Sequence, residues 1–135
     1  MIQLLADVNI DGHVRRVVAL MQTDYWREFW DYLDIRCRTF RDVGLSRDDT
    51  DAHIWQVCQQ QQLYLVTNNR NDDGPESLES TIRKHNAELS LPVITLSDAD
   101  RVLQSSVFAD RVVESFFDKL LRIETLRGTG RLFLP

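Results

Sequence analysis

The chain has 135 residues, of which 43% are hydrophobic and 27% are charged, values typical of a single globular domain with one core. Its formal net charge of −5 argues against broad nonspecific binding of nucleic acid. The sequence contains no run of about 18 apolar residues, so it predicts no membrane-spanning segment and no membrane partner.

The first third of the chain alternates apolar runs with amphipathic stretches. Residues 2–7 (IQLLAD) are a short apolar run that ends in an acid, which predicts a buried strand. The next stretch has apolar residues at helical spacing, with Asn9 or Asp11 as its cap. A second helical stretch, rich in aromatic rings, covers residues 26–33, and residues 36–40 predict a second strand.

The middle of the chain repeats this alternation. A turn at Gly44 precedes a predicted helix that is capped by Asp49 or Thr50. Residues 63–67 (LYLVT) predict a third strand. A further helix is expected to begin at Pro75, because proline is favoured at the first helical position, and Leu89 is assigned to the inner face of this helix.

The C-terminal third completes the pattern. Residues 91–96 (LPVITL) predict a fourth buried strand, and Ser97 or Asp98 caps a short helix behind it. A long apolar helix is expected over residues 106–123, and residues 131–135 predict an edge strand.

Strands that alternate with helices through short connections predict a three-layer α/β/α fold around a mostly parallel sheet, as one domain over residues 1–135. Right-handed crossovers bring the carboxyl ends of parallel strands to one edge of the sheet. Open α/β sheets bind their ligands at that edge.

Cysteine usage and the N-terminus indicate the cellular compartment. Cys37 and Cys58 are too few for a disulfide framework and lack metal-ligand spacing, so we expect buried free thiols. Asp7 interrupts the N-terminal apolar run too early for a signal peptide. We therefore expect a cytoplasmic protein.

Acidic and amide side chains follow every one of the first four predicted strands. Because these strands end at one edge, we expect the side chains to lie close together, with the start of the third helix beside them. Carboxylates brought together repel one another unless a cation lies among them, and oxygen ligands suit Mg²⁺ or Mn²⁺. The residues concerned are Asp7, Asp42, Asp51, Asn68, Asn69, Asp72, Asp73, Asp98 and Asp100.

Structural roles compete with metal binding at several of these positions. Asp98 is better explained as a helix cap than as a ligand, and Asp42 as a turn residue. Asp72 and Asp73 precede Gly-Pro, so a turn and a cap explain them as well as a site does. Asp7 has no structural role visible in the sequence, which favours a functional one.

The segments LLADVNIDGHV and DVGLSRDDTDAHIWQVCQQQQLYLVTNNRND resemble the compact PIN-like proteins of bacteria, relatives of toxin nucleases of VapC type. In that family an Asp-x-Asn ends strand one, a Ser/Thr-Asp pair opens a helix and a later strand ends in Thr-x-Asp-x-Asp. Asp7 and Asn9 match the first element, and Asp51 after Thr50 matches the second. The third departs from the pattern, because Asn69 and Asn71 stand where the family has aspartates.

The resemblance implies a divalent-metal-dependent ribonuclease that cleaves RNA, and it extends over about residues 2–73. It makes Asp7, Asp51 and Asp72 the candidate catalytic residues and Asp7, Asp51, Asn69, Asp72 and Asp73 the candidate ligands of Mg²⁺ or Mn²⁺. Asn9 and Arg70 are the candidate nucleic-acid contacts, although a surface salt bridge is the commoner fate of an arginine such as Arg70.

Other functions compete with catalysis. The substituted asparagines and the acidic charge favour a catalytically weak or inactive PIN-like domain that binds RNA or a protein. The aromatic residues 25–33 (YWREFWDYL) suit a contact surface, although ordinary core packing explains their spacing better. A homodimer and an antitoxin or other protein partner are further expectations from the resemblance. A receiver-like signalling domain lacks support, because Asp7 has no adjacent acid.

Overall fold

The structure is a computed structural model that describes all 135 residues as three layers, with helices on both faces of a central sheet. The sheet has five strands: β1 (Ile2–Ala6), β2 (Ile35–Arg38), β3 (Tyr64–Thr67), β4 (Val93–Leu96) and β5 (Arg131–Leu134). Their order is β2-β1-β3-β4-β5, and all four pairings are parallel. The predicted α/β/α fold is confirmed, and the sheet is parallel throughout.

Six α-helices connect the strands. They are α1 (Asp11–Met21), α2 (Arg27–Leu33), α3 (Asp51–Gln61), α4 (Leu78–His85), α5 (Ala99–Gln104) and α6 (Ser106–Leu121). Short 3-10 turns cover Val8–Ile10, Arg41–Val43 and Ile123–Leu126. No helix is both long enough and apolar enough to cross a membrane.

Each face of the sheet carries its own apolar cluster. The larger cluster joins 23 buried residues from α1, α5, α6 and one side of the strands. The smaller cluster joins 11 buried residues from α3, α4 and the opposite side. Successive strand residues divide between the clusters, as in Leu4 and Leu5 of β1, because side chains alternate across a pleated sheet.

Two expectations about α4 were wrong. The helix begins at Leu78 rather than at Pro75, because the Ser77 hydroxyl accepts the Ser80 N–H at 3.2 Å and caps it there. Pro75 instead lies in the turn after Gly74, whose φ of 91° only glycine adopts readily. Leu89 lies beyond the last helical residue and is 74% exposed, so it contributes nothing to an inner face.

The prediction of core packing for residues 25–33 is confirmed in part. No residue of α2 is fully buried. Trp26, Trp30 and Leu33 pack against the larger cluster while remaining partly exposed, and Tyr25 and Tyr32 are 83% and 79% exposed.

The cysteines fall into two environments. Cys58 is buried in the smaller cluster, and burial raises its pKa to about 12. Cys37 is exposed on β2, so the expectation of a buried thiol was wrong there. The reason is topological, because β2 is an edge strand.

Candidate functional site

The candidate site lies where the strand order reverses. β2 lies on one side of β1, and β3 lies on the other side. The chain segments that follow β1 and β3 therefore leave the carboxyl edge of the sheet in opposite directions. In open α/β sheets this reversal leaves a crevice in which ligands bind. Asp7 follows β1 and Thr67 ends β3, and both therefore lie at this reversal.

Asp7 is held by four hydrogen bonds, one of which its carbonyl accepts from the Ile10 N–H at 3.0 Å. Its backbone N–H donates to the Val66 carbonyl at 2.9 Å and so extends the β1–β3 pairing. Its carboxylate accepts the Asn9 N–H at 3.2 Å and the Thr67 hydroxyl at 2.7 Å. Asp7 is thus the N-cap of the 3-10 turn that follows, a structural role that was not visible in the sequence. The predicted caps of α1, Asn9 and Asp11, do not cap it: the N-cap is Ile10, without a side-chain hydrogen bond.

Thr67 connects Asp7 to the loop after β3. Its side chain is completely buried, and its hydroxyl oxygen accepts the Asn69 N–H at 3.0 Å while donating to Asp7. A hydroxyl that donates to one group and accepts from another has both functions satisfied. The Thr67 hydroxyl therefore holds the Asp7 carboxylate and the Asn69 backbone N–H close to each other.

Asn69 links this chain to Asp51. Its amide nitrogen donates to Asp51 Oδ2 at 3.0 Å, and its amide oxygen accepts the Asn71 N–H at 2.9 Å. These two partners determine the orientation of the amide, because the Asn71 N–H requires an acceptor. Asp51 is the first residue of α3, which Thr50 caps as predicted by accepting the His53 N–H at 3.1 Å. Asp7, Thr67, Asn69 and Asp51 form one hydrogen-bonded chain, which we call the edge cluster.

An arginine with a buried side chain, Arg131, binds the backbone of the loop that follows β3. The side chain of Arg131 is only 7% exposed, and its Nη1 donates to the Asn69 carbonyl at 2.9 Å and to the Thr95 hydroxyl at 2.7 Å. Its Nε donates to Glu79 at 2.7 Å, and its Nη2 forms a salt bridge with the same carboxylate but lacks hydrogen-bond geometry. No sequence pattern indicated a role for this residue, because a charged side chain at the start of an edge strand normally reaches solvent.

An acidic groove opens beside Asp51. It has a volume of about 530 Å³ and no hydrophobic lining residue. Asp49, Asp51, Asp73 and Glu76 all line it, so four carboxylates face one solvent-filled space. Of the two adjacent aspartates in the loop, Asp73 lines the groove and Asp72 does not.

The remaining predicted contacts lie at the surface. Asp72 is exposed and forms neither a hydrogen bond nor a salt bridge through its side chain. Arg70 is exposed and does not form the surface salt bridge that is common for such an arginine. The side chain of Asn9 is also exposed, and its backbone N–H is what contacts Asp7.

Three other acids have structural roles. Asp42 accepts the Thr39 N–H at 2.9 Å, and hydrogen bonds from the Thr39 backbone and hydroxyl lower its pKa. Asp98 caps α5 through the Arg101 N–H at 3.4 Å, which confirms its interpretation as a cap. Asp100 contacts His13 Nε2 at 2.9 Å.

Two arginines line a second groove beside Asp7. This groove, of about 360 Å³, is bounded by Ala6 and Val8 on either side of Asp7 in the chain, and by Arg41 and Arg47. Neither arginine forms a salt bridge. Guanidinium groups that lack a carboxylate partner are suited to phosphate, which they bind with paired hydrogen bonds.

The edge cluster contains two carboxylates, those of Asp7 and Asp51. No group of three or more His, Cys, Asp and Glu side chains is arranged to hold a metal ion. Mg²⁺, however, is commonly held by one or two carboxylates together with substrate phosphates. Asp51 Oδ1 has no protein partner, and a carboxylate offers about four lone-pair positions. Asp7 and Asp51 thus retain ligand capacity, whereas Asn69 directs a donor towards Asp51.

Comparison of the chain with protein-family models, with curated proteins and with solved structures gave no significant match.

Proposed function

We propose that the protein is a divalent-cation-dependent ribonuclease of PIN-like type, in which Asp7 and Asp51 are ligands of Mg²⁺ or Mn²⁺. The observation that carries the proposal is the edge cluster. It connects the two acids that match the PIN motifs through Thr67 and Asn69, at the reversal point of the sheet. Asp73 shares the acidic groove with Asp51, so Asp73 rather than Asp72 supplies further negative charge.

The chain's own residues supply orientation and charge. The Thr67 hydroxyl holds the Asp7 carboxylate, and Arg131 holds the backbone of the Asn69 loop. Arg41 and Arg47 bind the phosphates of the substrate next to Asp7, and Arg70 adds a contact from the loop. A bound divalent ion would lower the pKa of a water molecule and neutralise charge that develops on phosphate oxygens.

A second candidate is a PIN-like module that binds RNA or a protein without cleaving RNA. Asn69 favours it, because its amide nitrogen donates a hydrogen bond to Asp51 where the resembled family carries another carboxylate. An amide contributes no charge, and a neutral ligand holds a divalent ion more weakly than an anionic one. A homodimer, an antitoxin partner and a cytoplasmic location remain proposals drawn from the resemblance and the sequence.

The first test is isothermal titration of Mn²⁺ into metal-free protein, for the wild type, Asp7→Asn and Asp51→Asn. The matched control is Asp48→Asn, which removes an equal charge from an exposed position outside the edge cluster. We expect binding in the wild type and the control, and at least tenfold weaker binding in the two edge-cluster variants. Circular dichroism verifies that each variant is folded.

Cleavage of fluorescently labelled single-stranded RNA separates the two candidates. Mn²⁺-dependent cleavage that Asp7→Asn abolishes supports the ribonuclease. Mn²⁺ binding or RNA binding without cleavage supports the binding module. Absence of Mn²⁺ binding both with and without RNA would overturn the assignment of Asp7 and Asp51 as ligands.

A further inference from the structure

A second surface of the molecule combines exposed rings with unpaired acids. Tyr25 and Trp26 precede α2, and their rings meet edge to face, with centroids 4.9 Å apart and an interplanar angle of 82°. Trp26 is anchored from behind, because its ring stacks on Phe117 of α6 at 5.1 Å and 24°. The ring pair is therefore held rigidly against α6, while most of Tyr25 stays in solvent.

The groove beside these rings carries two carboxylates. It has a volume of about 430 Å³ and is lined by Leu20, Thr23, Tyr25, Trp26, Asp110 and Glu114. Asp110 and Glu114 are both exposed and stand one turn apart on α6. Neither carboxylate takes part in a hydrogen bond or a salt bridge. Like charges at this spacing on a helix repel each other, so a cation that binds between them relieves that repulsion.

We propose that this groove, formed by Tyr25, Trp26, Asp110 and Glu114, binds an arginine side chain of a partner protein. The two carboxylates attract a cation, and aromatic faces attract a cation through the ring quadrupole. A guanidinium group can contact the rings and the carboxylates at the same time. Its planar face stacks on a ring, and the N–H groups at its edge donate hydrogen bonds to carboxylates. The chain already contains such a stack, in which the Arg101 guanidinium carbon lies 4.5 Å from the centroid of Phe108.

The surroundings suit a protein partner. Phe29 and Tyr32 of α2 are 40% and 79% exposed and extend the aromatic surface beyond the groove. Exposed tyrosine, tryptophan and phenylalanine rings with a pocket for arginine are typical of the energetic centre of protein interfaces. The net charge of −5 favours a basic partner through long-range attraction. None of these residues belongs to the edge cluster, so the inference stands independently of the proposed function.

The test uses the full chain and a capped pentapeptide, acetyl-Ala-Leu-Arg-Leu-Ala-amide. Matched peptides carry citrulline or lysine in place of the arginine. Citrulline retains the shape without the charge, and lysine retains the charge without the planar group. Binding is followed by NMR through the indole N–H resonance of Trp26 and the backbone resonances of α6. We expect the arginine peptide to bind, the lysine peptide to bind severalfold more weakly and the citrulline peptide to shift neither set of resonances.

Variants assign the site. Glu114→Gln and Tyr25→Ala should each weaken binding of the arginine peptide roughly three- to tenfold. Glu88→Gln removes the same charge from an exposed position outside the groove and should leave binding unchanged. Equal shifts with the arginine and citrulline peptides, or binding that Glu114→Gln leaves unaltered, would overturn the proposal. Concentration-dependent self-association that Glu114→Gln abolishes would also overturn it, because the occupant would then be a second copy of the chain.

Discussion

Replacing Asn69 with aspartate should destabilise the metal-free protein and make its stability depend on divalent ions. The amide nitrogen of Asn69 donates to Asp51 at 3.0 Å, and a carboxylate cannot replace that donor. Losing a hydrogen bond to a charged group costs about 1.5–3 kcal/mol. Two carboxylates about 4 Å apart repel by up to about 4 kcal/mol at an effective dielectric constant of about 20, and partial exposure of Asp51 reduces this. We expect Asn69→Asp to lower the free energy of unfolding by about 3 kcal/mol.

Asn68→Asp is the matched control. Asn68 lies in the same loop at an exposed position, its side chain forms no hydrogen bond within the protein, and it does not line the acidic groove. The control therefore adds the same charge to the same loop without removing a hydrogen bond, and its stability should change by less than about 0.5 kcal/mol. The two variants separate the Asn69–Asp51 contact from a general effect of negative charge.

Thermal unfolding in chelator and in Mn²⁺ measures both effects. A loss of about 3 kcal/mol lowers Tm by roughly 10 °C in a domain of this size. Mn²⁺ at 100 times its Kd would return about 2.7 kcal/mol, so Asn69→Asp should regain most of its Tm and Asn68→Asp should not change appreciably more than the wild type. An Asn69→Asp protein as stable as the wild type in chelator would refute the argued role of the Asn69 amide. Equal rescue of both variants would refute a specific role of position 69 in binding the ion at Asp51.

Three further changes test other parts of the structure by urea unfolding. Thr67→Val keeps the shape of a fully buried side chain but removes the hydroxyl that donates to Asp7 and accepts the Asn69 N–H. The free energy of unfolding should therefore fall by about 2 kcal/mol. A loss below about 0.5 kcal/mol would contradict the hydrogen bonds of the edge cluster. Arg131→Met should cost about 2–3 kcal/mol, because it leaves the Asn69 carbonyl and the Glu79 carboxylate, which is 32% exposed, without their hydrogen-bond donor. A loss below about 0.5 kcal/mol would contradict the burial of the Arg131 side chain. Burial keeps Cys58 protonated up to about pH 12, whereas the unfolded chain releases this proton near its ordinary pKa of 9.0. The Cys58 thiol should therefore contribute a fall in stability of about 1.4 kcal/mol per pH unit between these values, and Cys58→Ala should reduce the slope by that amount.

Local pattern was sufficient to predict most secondary structure. The apolar runs that became β1, β3 and β4 are short and bounded by polar or turn residues, and the caps Thr50 and Asp98 lie directly before the helices that they begin. Local pattern failed where two nearby signals competed. At the start of α4 the Gly-Pro turn suggested Pro75, but the hydroxyl of Ser77 determines where the helix begins.

Strand order and the contacts of the site depend on tertiary structure. The sequence predicted that acids would gather at the carboxyl edge of a parallel sheet, because that follows from alternating strands and helices. It did not predict that Thr67, 60 residues from Asp7, would connect that acid to Asn69, nor that the amide of Asn69 would face Asp51. Those contacts depend on the pairing of β1 with β3, which is long-range.

Arg131 shows what local sequence pattern predicts and what depends on tertiary contacts. By itself, the sequence determined that residues 131–135 form an edge strand, from a short apolar run behind two glycines. Only the tertiary structure decided that this side chain is buried, because its partners Glu79 and Thr95 lie 52 and 36 residues away in the sequence. Thr95 meets it through the pairing of β5 with β4, and Glu79 reaches it from α4. A charged side chain is buried only where distant residues together satisfy its donors, and no local pattern records that condition.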